Sequence, residues 1–159
     1  QGMYHWDADT SNLPITFGTQ GVLFLTDTAD NQGSFVCWPG AHKWLIDPKF
    51  PWVPELSQEN FIQVAAPAGS LLIWHRALPH GNGRNTSDKP RLAQYMNFYP
   101  VPEPMDEERR QERITLWRER RALGRGPWPG DPRGWEAKNY GPAKLTGLGR
   151  KLLGLDLWD

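Results

Sequence analysis

Cysteine is nearly missing from this chain: Cys37 stands alone among 159 residues. An internal disulfide is therefore excluded, and the composition suits a reducing compartment. Long apolar runs are missing too. No stretch approaches the roughly 18 apolar residues that a membrane-spanning helix requires. Net charge is absent, with 18 basic residues against 18 acidic ones. A nucleic-acid binder usually carries a basic stripe, so no nucleic-acid partner is expected. The first residues lack the pattern of a secretory leader, and the closing Leu-Trp-Asp is not a peroxisomal address. The expected location is cytoplasmic, with no membrane partner. No repeat or low-complexity tract interrupts the chain.

What the chain does hold is nine tryptophans and 15 prolines, a composition of compact, loop-rich folds rather than helical bundles. Its length fits one domain or part of one. A chain of about 150 residues buries roughly 68–70% of its unfolded surface, so it needs no covalent staple.

The first hundred residues read as strands broken by turn signals. "GVLFLTDT" (residues 21–28) is an apolar run consistent with a strand buried on both faces. "SFVCW" (34–38) is entered through "DNQG" and stopped by Pro39-Gly40. Residues 43–60 read as loop. "FIQVAA" and "GSLLIW" follow with "PAG" turning between them, and "RLAQYMNFY" (91–99) alternates. Arg91, Ala93, Tyr95, Asn97 and Tyr99 share one of its faces, while Leu92, Met96 and Phe98 take the other. Many short strands with turns between them predict a mainly β, jelly-roll or barrel domain. After "PVPEP" the character changes. "MDEERRQERITLWRERRALG" is free of internal Gly and Pro and rich in helix formers, with Met105, Ile114, Trp117 and Leu123 as an apolar stripe and Gly124 as the stop. Its interleaved glutamates predict a solvated, ion-paired face rather than an anion-binding patch. The expected division is a jelly-roll core over residues 1–101, an Arg/Glu-rich helix over 102–124, and a Pro/Gly/Trp loop with a short helical tail over 125–159.

Two stretches carry chemistry. In "MYHWDAD", His5 and Asp7 stand two apart, so on a strand they project to one face, with Trp6 on the other. "HRALPHGNGRNTSDKPR" supplies His75 and His80, a Gly-Asn-Gly turn, and Arg91 at the start of the alternating strand. Two histidines and one carboxylate make the facial triad that binds Fe(II) on one side and leaves the other side open. A dicarboxylate co-substrate would then need a cation at its far end, and arginine's planar fork suits that task. Arg91 shares a polar face with Tyr95 and Asn97 where a jelly-roll interior would otherwise be apolar.

On these residues the chain resembles the phytanoyl-CoA dioxygenase family of Fe(II)/2-oxoglutarate oxygenases. That family pairs His-x-Asp with a later His-Gly-Ser-Gly-x-Asn-x-Ser-x-x-Pro-Arg. Here the second element reads His80-Gly81-Asn82-Gly83-Arg84-Asn85-Thr86-Ser87-Asp88-Lys89-Pro90-Arg91, with the eleven-position step from histidine to arginine kept. "LTDTADNQGSFVCWPGAHK" is similar to the family's strand ending in Asp, followed by Asn-Gly and Pro-Gly-Ser-His. The resemblance implies a double-stranded β-helix (jelly roll, cupin-like) with a C-terminal helix and tail. It implies His5, Asp7 and His80 as Fe(II) ligands, Arg91 on the distal carboxylate of 2-oxoglutarate, and Asn82 and Tyr95 beside it. Asn82 departs from the family's Ser or Thr, but an amide can still donate a hydrogen bond. The reaction implied consumes O2 and 2-oxoglutarate, releases succinate and CO2, and hydroxylates a small organic substrate. Asp7 is retained, whereas halogenating relatives replace it with a small residue.

His75 competes with His80, but Thr86 lies eleven positions beyond it and cannot neutralise a carboxylate. His75 is expected to pack near its strand end or touch substrate, and His42 to tie a turn to a neighbouring strand. Asn85-Thr86-Ser87 reads as a turn rather than a glycosylation site. Trp6, Trp38 and Tyr95 are candidates for the pocket wall, with core packing as the alternative. In the family, helices and a first core strand precede the His-x-Asp strand, whereas His5 sits almost at the start of this sequence. The chain is therefore expected to lack an N-terminal portion, and that portion or a partner chain is expected to cover an exposed sheet face and edge. Three other readings stay open: a cupin-like metal-binding barrel without 2-oxoglutarate turnover, an interaction or nucleic-acid module using the Arg-rich helix, and a degenerate fragment that keeps the motif without turnover.

Overall fold

The computed structural model describes residues 3–49, 52–121 and 133–158, in two compact units, Gln1–Pro100 and Val101–Asp159. Each unit is described by itself.

The first unit is built on two antiparallel sheets. Strands β1 (Met3–His5), β6 (His80–Asn82), β3 (Phe35–Cys37) and β4 (Ile62–Val64) lie side by side in that order. The other sheet has β2 (Thr19–Phe24) between β5 (Leu71–His75) and β7 (Ala93–Phe98). Strands that follow one another in sequence thus alternate largely between sheets, the winding of a jelly roll. The period-2 pattern of each strand explains the layering. Val22 and Phe24 of β2 and Trp74 of β5 point inward to meet Phe35 and Cys37 of β3, and Leu78 completes this buried core. A second cluster of Ala8, Ile15, Leu45 and Ala77 packs with Trp6 and Trp44. Several apolar residues on and beside the three-stranded sheet face outward. Leu25, Leu71, Ile73 and Leu92 are each at least 50% exposed. Among the described residues β7 is paired along one edge only, to β2.

Several elements differ from the sequence expectation. The strand expected over residues 21–28 begins earlier and ends at Phe24, where the chain bends at Leu25 and Thr26. The segment 43–60 is not all loop: α1 (His42–Ile46) is a one-turn helix held by fully buried Leu45, and Gln58–Asn60 forms a 3-10 turn. The Gly-Asn-Gly segment is strand in its first half. Gly81 lies opposite Tyr4 on one side and Val36 on the other, a central position that a pattern of glycines does not announce. Gly33 has φ of 68° beside β3, and an added Cβ would sit 3.2 Å from Asn85 Cβ. Glycine is the residue that this left-handed turn tolerates.

In the second unit, α2 (Glu107–Glu119) starts where Asp106 accepts a hydrogen bond from the Arg109 N–H. It stops at Arg120, which takes the left-handed conformation itself. Gly124, expected as the stop, and Leu123 of the expected stripe lie outside the described residues. Met105 lies before the helix and is 40% exposed, which leaves Ile114 as its buried anchor. The arginines pair locally, Arg110 with Glu107 and Arg121 with Glu119, each at 2.6 Å. Others hold the tail: Arg110 Nε donates to the Gly154 carbonyl at 2.7 Å and Arg113 to that of Leu152 at 2.8 Å. These bonds fasten α4 (Gly147–Leu153) to α2, while α3 (Trp135–Asn139) lies between them in sequence.

Candidate functional site

Register builds the site. In the β1–β6 pair His5 lies directly opposite His80, and directly opposed residues point to the same face with Cβ atoms about 4.5–5.5 Å apart. The two rings accordingly meet, with centroids 4.8 Å apart. The expectation that Asp7 shares the strand with His5 is corrected: β1 ends at His5, and Asp7 sits in the bend after it. The bend still turns its carboxylate between the histidines. Asp7 Oδ1 is 3.2 Å from His5 Nε2, and Oδ2 is 3.6 Å from His80 Nε2. One donor atom from each of the three lies within 4.8 Å of the others.

His80 is buried, ringed by Phe35, Trp74 and His5. Its Nδ1 lies 2.9 Å from the Leu78 carbonyl, which can only accept, so Nδ1 carries the proton. Nε2 is thereby turned toward the Asp7 carboxylate. Burial pushes the His80 pKa down. The Leu78 bond and the Asp7 charge act against that shift, and the His5 charge adds to it. With the ring neutral, Nε2 turns a lone pair toward the Asp7 carboxylate, an arrangement that a bound cation would relieve. The donor set of two imidazoles and one carboxylate is the one that suits Fe(II) with open positions.

A second cluster gathers around Arg91. Arg91 is not the first residue of β7, as expected, but lies two positions before it. Its Nη1 donates to the Gly33 carbonyl at 2.9 Å and to Asn82 Oδ1 at 2.6 Å, and its Nη2 donates to Tyr95 Oη at 2.8 Å. Tyr95 in turn donates to Asn82 Oδ1 at 2.5 Å. Asn82 follows His80 by two on β6 and so shares its face, which ties this cluster to the histidines. Three of five guanidinium N–H groups are used. Buried Nε has no acceptor, and with the remaining Nη2–H it makes a pair of donors of the kind that takes a carboxylate bidentately.

The residue missed from sequence is Gln20. On β2 it lies opposite Trp74 of β5 and Asn97 of β7, so the three form one row across the sheet. Trp74 Nε1 donates to Gln20 Oε1 at 2.9 Å, and Gln20 Nε2 donates to Asp7 Oδ2 at 2.6 Å and to Asn97 Oδ1 at 2.9 Å. A lone glutamine in an apolar strand carries no motif, and only the pairing register reveals it. His75 lies outside the triad: its Nδ1 accepts from the Ala77 N–H at 3.0 Å, and its ring meets those of Phe17 and His42. His42 therefore reaches the neighbouring strand by ring stacking, while its Nδ1 has no hydrogen-bond partner. Trp6 packs against the second core cluster and Trp38 against Trp44 and Phe61. Asn85 and Ser87 form the expected local turn, Asn85 Oδ1 accepting from the Ser87 N–H at 3.0 Å.

The profile of the phytanoyl-CoA dioxygenase (PhyH) family matches residues 1–93, more than half of the sequence. The chain belongs to that family. A Dictyostelium discoideum protein carrying the phytanoyl-CoA dioxygenase name is 26% identical over 99 residues, covering 52% of this chain and 27% of that protein. Dioxygenase olcK of Penicillium canescens is 27% identical over 103 residues, covering 62% of this chain and 31% of that protein. This PhyH chain thus spans about a quarter to a third of the length of these relatives. Among solved structures, the epimerase SnoN in complex with Fe3+, alpha ketoglutarate and nogalamycin RO is similar, at 20% identity and a TM-score of 0.48 over 92% of this chain and 54% of that one. HygX from Streptomyces hygroscopicus, with nickel, 2-oxoglutarate and hygromycin B bound, is 23% identical with a TM-score of 0.42 over 54% of this chain and 36% of that one.

Proposed function

We propose that this PhyH chain carries the cofactor site of an Fe(II)/2-oxoglutarate-dependent dioxygenase that hydroxylates a small organic substrate. The observation that carries the reading is the convergence of His5, Asp7 and His80, one ligand atom of each within 4.8 Å of the others, with His80 Nδ1 held at the Leu78 carbonyl so that Nε2 faces the Asp7 carboxylate. In this reading His5, Asp7 and His80 hold the metal, and Leu78 keeps His80 in the ligating tautomer. Arg91 holds the distal carboxylate of 2-oxoglutarate, using the donors it leaves free together with those now resting on Asn82 and Tyr95. Phe35 and Trp74 of the buried core back the His80 ring, and Phe24 lies under the Arg91 guanidinium. When bound, the iron and co-substrate supply the oxygen chemistry, with succinate and CO2 as co-products. A cupin-like barrel without co-substrate turnover would have no use for a half-buried guanidinium with an orphaned Nε.

The test is an anaerobic titration of the whole chain with Fe(II) and then 2-oxoglutarate, following the visible charge-transfer band of the chelate. The expected result is a band in wild type that His80→Ala abolishes. A folded wild-type chain that binds Fe(II) but gives no band on adding 2-oxoglutarate would leave the cupin-like alternative in its place.

A further inference from the structure

Asp7 stands in a bend rather than on a strand, and its side chain is 44% exposed. A carboxylate so placed could swing between ligating through one oxygen and through two. We infer that Gln20 is the positioning residue that prevents this, by holding Oδ2 aside and presenting Oδ1 to the metal. This inference rests on the metal reading of His5, Asp7 and His80.

The hydrogen-bond directions leave Gln20 one arrangement. An indole N–H can only donate, so the atom that Trp74 Nε1 meets at 2.9 Å is the amide oxygen of Gln20. The amide nitrogen must then face the other way. Its two hydrogens go to Asp7 Oδ2 at 2.6 Å and Asn97 Oδ1 at 2.9 Å, so both are spent. Gln20 is only 6% exposed, so its amide is fixed from the buried side while the Asp7 carboxylate it holds stays half-exposed. The row Trp74–Gln20–Asn97 belongs to the three-stranded sheet, whereas His5 and His80 belong to the other. Gln20 therefore references the carboxylate to the sheet opposite the histidines. A short bond to a charged acceptor draws electron density from Oδ2, making Oδ1 the better ligand atom. Ligation through one oxygen keeps open a position that a chelating co-substrate and dioxygen both need.

Two variants test this in the whole chain. Gln20→Met fills the same space without a donor, and Trp74→Phe removes the N–H that sets the amide orientation. Each is loaded anaerobically with Co(II). Affinity is read by calorimetry, coordination by the visible d–d absorption of the ion, and folding by circular dichroism. Gln20→Met should bind Co(II) roughly 10- to 100-fold more weakly, the usual scale for losing a partner behind a ligand. Its d–d spectrum should also change shape as Asp7 changes its mode of ligation, a signature that simple loosening of the fold would not give. Trp74→Phe should shift the same way by less. A folded Gln20→Met chain with wild-type affinity and spectrum overturns the inference. If Gln20→Met fails to fold, an unchanged spectrum in Trp74→Phe overturns it instead. A wild-type chain that binds no Co(II) overturns the metal reading, and this inference with it.

Discussion

Replacing Arg91 by lysine separates the two halves of the proposed site. The guanidinium donates three hydrogen bonds, at 2.9, 2.6 and 2.8 Å, to Gly33, Asn82 and Tyr95, and keeps a buried Nε–H without an acceptor. Lysine keeps the charge but not the planar fork, so a bound carboxylate loses one of two charge-assisted bonds. Such a bond contributes about 1.5–3 kcal/mol. At about 1.4 kcal/mol per decade, 2-oxoglutarate should bind roughly ten- to a hundredfold more weakly to Arg91→Lys. Metal affinity should be unchanged, because the hydrogen bonds of Arg91 go to Gly33, Asn82 and Tyr95 and not to the proposed ligand atoms of Asp7 and His80. The fold should lose about 1–3 kcal/mol, chiefly at the buried Gly33 carbonyl that loses its donor, whereas the Asn82 and Tyr95 side chains face solvent and rehydrate. The assay is an anaerobic titration of metal-loaded protein with 2-oxoglutarate, run beside a Co(II) calorimetric titration and a urea melt. Asn82→Asp gives the reciprocal test: it sets a fixed carboxylate against Nη1, where Asn82 Oδ1 now lies at 2.6 Å, and should compete with the co-substrate while leaving the metal in place. If 2-oxoglutarate binds Arg91→Lys within twofold of wild type, Arg91 is not its anchor. An equal loss of metal and co-substrate affinity would show that the two clusters are not separable.

Three further outcomes are expected. Burial holds His42, His75 and His80 below the usual histidine range, so between about pH 6.5 and their folded values the unfolded chain binds more protons. Stability present above about pH 6.5 should therefore be lost as the pH falls below it, with the slope reduced in His75→Asn; a urea midpoint that rises on acidification would refute this. Phe35→Ala should cost about 3–5 kcal/mol in urea unfolding, since Phe35 is 1% exposed and lies against Trp74 and His80. Gly33→Ala should cost at least about 1–2 kcal/mol for its left-handed backbone, and a melt matching wild type would show that the turn relaxes instead.

Much of this protein was legible in one dimension because the signals were local. Apolar runs ended by turn residues marked most of the strands, and the missing glycines and prolines after residue 104 marked α2, since both patterns act over a few neighbouring residues. The His5–Asp7 pair, and the step from His80 to Arg91 through its resemblance to the PhyH motif, pointed to the candidate chemistry. Short elements were less legible. The three residues of β6 and the single turn of α1 are too brief for periodicity, and each is held by its surroundings: by flanking strands for Gly81, by a buried pocket for Leu45. What only the tertiary structure decided is which side chains face one another across sheets. Asp7 reached the histidines from a bend rather than along a strand. Gln20 gained its place from register alone, because a one-residue slip of β2 would send it to the outer face. Sequence determines which donors the chain owns; pairing of strands far apart in the chain determines which of them converge.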